Sequence, residues 1–103
     1  MDVRFLPNPF WIPELREQTG LDADVRNYVL GQEGAEEFLR RYHELLGLIG
    51  AGYRREGKRY LTLAVGCTGG KHRSVAISEE LATMLAKEDG MAVKVVHRDL
   101  GRE

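Results

Sequence analysis

The chain has 103 residues, 43% of them apolar and 30% charged. That composition fits one folded domain with one core and excludes a disordered segment. Fifteen Lys+Arg against sixteen Asp+Glu leave a net charge of −1, which excludes a whole-molecule field able to draw the protein onto nucleic acid or an anionic membrane. Residues 2–6 alternate polar and apolar like a short strand. Pro7, Pro9 and Pro13 then predict an ordered, extended loop. Within it, Phe10, Trp11 and Ile12 are expected to plug the core, or else to wall a pocket or a partner surface. Thr19 and Gly20 form a turn, and Asp22 is a plausible cap for a short helix over about 23–30.

Phe38, Leu39, Tyr42, Leu45, Leu46 and Ile49 make one apolar stripe, which predicts a helix from Glu33 to about Ile49. His43 lies on its polar side and reads as plain surface. Gly47, Gly50 and Gly52 are expected to loosen the helix end, and a charged turn at 54–59 follows. Residues 60–66 are apolar at almost every position, which predicts a strand covered on both faces. A helix is expected over 74–88, with Ile77, Leu81, Met84 and Leu85 inward and Gly90 ending it. Residues 91–97 read as a last strand. This order predicts a small three-layer α/β domain, a mostly parallel sheet with helices on both faces.

The chemistry concentrates in the loop between the strand at 60–66 and the helix at 74–88. There Gly66, Cys67, Thr68, Gly69, Gly70, Lys71, His72, Arg73 and Ser74 follow one another. Unpaired amides and the dipole at a helix start favour an anion, and glycines admit close backbone approach. Three readings compete. A nucleotide P-loop needs a glycine where Val65 stands and a hydroxyl where His72 stands. A cysteine phosphatase needs a thiolate with an arginine six residues on and a hydroxyl after it, as Cys67, Arg73 and Ser74 provide. Its general acid is unassigned, Asp99 and Asp22 being candidates by position, and Gly66 stands where such enzymes often carry His. The leading reading is a non-catalytic anion site. Thr68, Gly69 and Gly70 give amides and a hydroxyl, Lys71, His72 and Arg73 give charge, and Cys67 is a small buried residue. Phosphate on a small metabolite is its natural guest, and Arg73→Ala is expected to abolish binding with little loss of fold.

At the carboxyl edge of a parallel sheet, His97 and Arg98 would share a crevice with this loop, and Arg4 and Asn8 would join them. Cys67, His72 and His97 have no spacing that supports a metal site, so neither metal nor cofactor is expected. A single cysteine, no membrane-length apolar run and no signal-peptide pattern point to the cytoplasm and no membrane partner.

The opening 2–9 with Trp11, residues 13–16, Thr19 to Asp22, the block Tyr60 to Ile77 and the pair His97-Arg98 resemble the C-terminal domain of the RapZ/YvcJ family of bacterial regulators. The similarity covers essentially residues 1–103 as one domain and does not include the family's N-terminal P-loop domain, so nucleotide binding is not carried over. It implies a sensor or adaptor rather than an enzyme, with glucosamine-6-phosphate, small RNA and an endoribonuclease as partners. It places the ligand loop at Thr68, Gly69, Gly70, His72 and Arg73. Self-association is common among ligand sensors of this size. Two departures bear on those implications: the chain ends on an acidic residue where RNA-binding members have a basic tail, and Phe10 stands where some members have His.

Overall fold

A computed structural model describes residues 1–58, 60–88 and 91–100. Among these residues are three α-helices: α1, Ala23–Leu30; α2, Ala35–Arg55; and α3, Arg73–Ala86. A 3-10 turn, Pro9–Trp11, precedes them.

The expected three-layer α/β domain with a mostly parallel sheet is not what forms. Among the described residues there is no strand, and the one sheet-like contact is a parallel bridge between Asp2 and Gly66. Three hydrogen bonds make it: the terminal amine to Ala64 O at 2.6 Å, Gly66 N to Met1 O at 2.7 Å, and Val3 N to Gly66 O at 2.8 Å. The apolar run at 60–66 is covered on one side only. Leu63, Val65 and Cys67 pack against the core, whereas Tyr60 and Leu61 stay exposed. Residues 91–97 likewise turn Met91 inward and leave Val93 and Val96 outside. An apolar run reports burial; a strand also needs a backbone partner along its length, and composition carries no signal for that.

Each helix follows from its local sequence. In α1, Val25 and Val29 lie one turn apart and are fully buried. Eight residues are too few to hold a helix alone, so packing against α3 sustains it. Asp22 precedes it but does not cap forward; its carboxylate accepts from Thr19 N at 2.8 Å and closes the entering turn. Gly34, at φ +88°, turns the chain into α2. There Glu36 and Glu37 sit in the first turn and Arg54 and Arg55 in the last, each with the helix dipole. Glu37–Arg41 at 2.7 Å and Arg40–Glu44 at 3.6 Å add pairs one turn apart. With these supports, α2 runs past Ile49 and through Gly47, Gly50 and Gly52 to Arg55, further than its apolar stripe predicts. Leu39 and Leu46 carry the buried stripe, and Leu45 is exposed. Helix α3 buries Val75, Ala76, Ile77, Leu81 and Leu85. The proposed stop at Gly90 lies outside the described residues.

The core joins these faces to Val3, Leu6 and Leu15 from the N-terminal segment. Each fully buried aliphatic side chain contributes about 1.5–3 kcal/mol. Two aromatic residues expected in the core are not there: Trp11 is 71% exposed and Phe10 is 42% exposed. They pack edge to face at 5.2 Å, and Arg16 lies 4.8 Å over the Phe10 ring while donating to Phe10 O. His43 is not plain surface either; its Nε2 lies 2.7 Å from Glu88 Oε1.

Candidate functional site

Three segments meet where α3 begins. The bridge at Asp2 and Gly66 brings the N-terminal segment alongside the loop, and Gly20 presses on the first turn of α3 from another side. A Cβ at Gly20 would come within 2.5 Å of Ala76 N and His72 O, so only glycine fits there. Gly20 N also donates to Lys71 O at 2.9 Å, fixing the loop where it enters the helix. The third segment is 97–99. His97 Nε2 meets Glu79 Oε1 of α3 at 3.1 Å, and a Cβ at Gly70 would lie 2.9 Å from Asp99 Oδ2.

Within the loop, Gly69 and Gly70 adopt φ +80° and +66° in succession. Side-chain-bearing residues adopt two successive positive φ angles poorly, so this turn calls for its glycine pair. Thr68 and Gly69 are exposed, and Lys71 is half-buried. The Cys67 sulfur sits 3.3 Å from both the amide and the hydroxyl of Ser74. Burial pushes its thiol up, but hydrogen bonds from the Ser74 hydroxyl and amide and the Gly70 amide, with the Arg73 charge, outweigh that. The net effect lowers it from 9.0.

The other basic residues point away from the loop's open side. Arg73, 4% exposed, donates from Nη1 to Leu6 O at 3.0 Å and Arg4 O at 3.2 Å. It therefore binds the N-terminal segment to α3, and the expectation that Arg73→Ala leaves the fold intact does not hold. His72 is buried with Nε2 3.2 Å from Arg16 O. Among the described residues, Lys71 is the loop cation with no hydrogen bond or ion pair.

The outer candidates are brought near the loop but already have partners. Arg4 pairs with Asp2 at 2.7 Å and Arg98 with Asp99 at 3.2 Å. Asn8 accepts from Phe10 N and caps the 3-10 turn. The sulfur of Cys67 and the imidazoles of His72 and His97 each serve a different neighbour. Among the described residues no group of three His, Cys, Asp or Glu can hold a metal ion, and no helix is long and apolar enough to cross a membrane.

A separate cleft of about 430 Å³ lies at the turn between α1 and α2. Glu33, Glu36 and Glu37 line it, which makes it a poor host for an anion.

Comparison with known proteins identifies the family. The sequence profile of the RapZ C-terminal domain matches residues 1–101. A nucleotide-binding protein of Saccharopolyspora erythraea is 79% identical over 103 residues, covering 100% of this chain and 35% of its own length. Nucleotide-binding proteins of Rhodococcus jostii, at 72% over 102 residues, and Streptomyces coelicolor, at 70% over 103 residues, each match over 34% of their own length and cover 99% and 100% of this chain. The chain thus spans about a third of these curated relatives. It belongs to the RapZ C-terminal domain family.

Proposed function

We propose that this regulatory domain senses a phosphorylated metabolite, an amino-sugar phosphate such as glucosamine-6-phosphate, with the loop 68–73 holding the phosphate. The observation that carries the reading is the pair of left-handed glycines, Gly69 and Gly70, at the start of α3. The pair lies at the positive end of the α3 dipole, the end that favours an anion. Exposed Thr68 offers a hydroxyl, and Lys71 offers a charge not committed elsewhere among the described residues. Arg73 and His72 serve this site by fixing the loop's shape, while Lys71 and the backbone meet the ligand.

The relatives named nucleotide-binding proteins are about three times longer than this chain. Val65 and His72 stand where a nucleotide P-loop needs glycine and a hydroxyl, so we assign their nucleotide site to the rest of their length. RNA, ribonuclease and self-association rest on the family resemblance alone. The net charge of −1 and the pairing of Arg4 and Arg98 with carboxylates lend RNA binding no support.

One observation favours a second reading, a cysteine-dependent phosphatase: the Ser74 hydroxyl lies 3.3 Å from the Cys67 sulfur, as such chemistry requires. Arg73 weighs against it, since its guanidinium is buried on two carbonyls rather than open to a phosphate.

Isothermal titration of glucosamine-6-phosphate, with inorganic phosphate as reference, tests the sensor. Tighter binding of the sugar phosphate that survives Cys67→Ser is the expected result. Turnover of an aryl phosphate that Cys67→Ser abolishes would replace the sensor by the phosphatase.

A further inference from the structure

We draw no further inference here: the strongest candidate, the exposed surface patch of Phe10 and Trp11 with Arg16 over the Phe10 ring, carries nothing, because nothing in the structure shows what covers it.

Discussion

Cys67 contacts the first turn of α3, and Arg73 ties that helix to the N-terminal segment. The sulfur of Cys67 lies at the start of α3, where Ser74 offers both its amide and its hydroxyl at 3.3 Å. Burial disfavours the thiolate there, and those hydrogen bonds with the Gly70 amide and the Arg73 charge reverse the balance, lowering the thiol from 9.0. The sign follows: a group whose pKa falls on folding adds stability in full above its unfolded pKa and loses it as pH drops through the folded one. Iodoacetamide alkylation should therefore rise with a pH midpoint below 9.0 and shift upward in Ser74→Ala; a wild-type midpoint at or above 9.0 would contradict the geometry. The sequence shows the thiol, arginine and hydroxyl at phosphatase spacing, yet not which way the arginine turns. Its direction depends on carbonyls of Arg4 and Leu6, more than sixty residues away in the chain, which no local pattern announces.

At the level of elements, the helices were legible because their stabilising contacts are local. Val25 and Val29 in α1, Leu39 and Leu46 in α2, and Ile77, Leu81 and Leu85 in α3 recur at helical spacing and are buried. The sheet was not legible, because pairing is a property of two segments and the apolar runs at 60–66 and 91–97 state only that each has an inward side. Gly20 is a similar case: a glycine in a turn carries no sign that it packs on Ala76 N and His72 O. Arg73 is the clearest link between elements, its Nη1 tying α3 to the N-terminal segment. Arg73→Ala leaves two carbonyls without their donor and should cost about 2–4 kcal/mol in urea unfolding. A loss under about 0.5 kcal/mol, as for an ordinary surface change, would show that the arginine is not structural.

Over the whole molecule, the net charge is −1, and Arg4 and Arg98 are paired with carboxylates, so the proposed anion site relies on the local field at the α3 N-terminus. The acidic cleft at the turn between α1 and α2 carries the wrong sign. The domain spans about a third of the length of its curated relatives. Amide chemical-shift mapping during titration with glucosamine-6-phosphate locates the phosphate on the domain. A phosphate held by the loop predicts the largest changes at Thr68, Gly69, Gly70 and Lys71. Changes centred on residues 30–37, or none at 68–71 as the ligand binds, would contradict it.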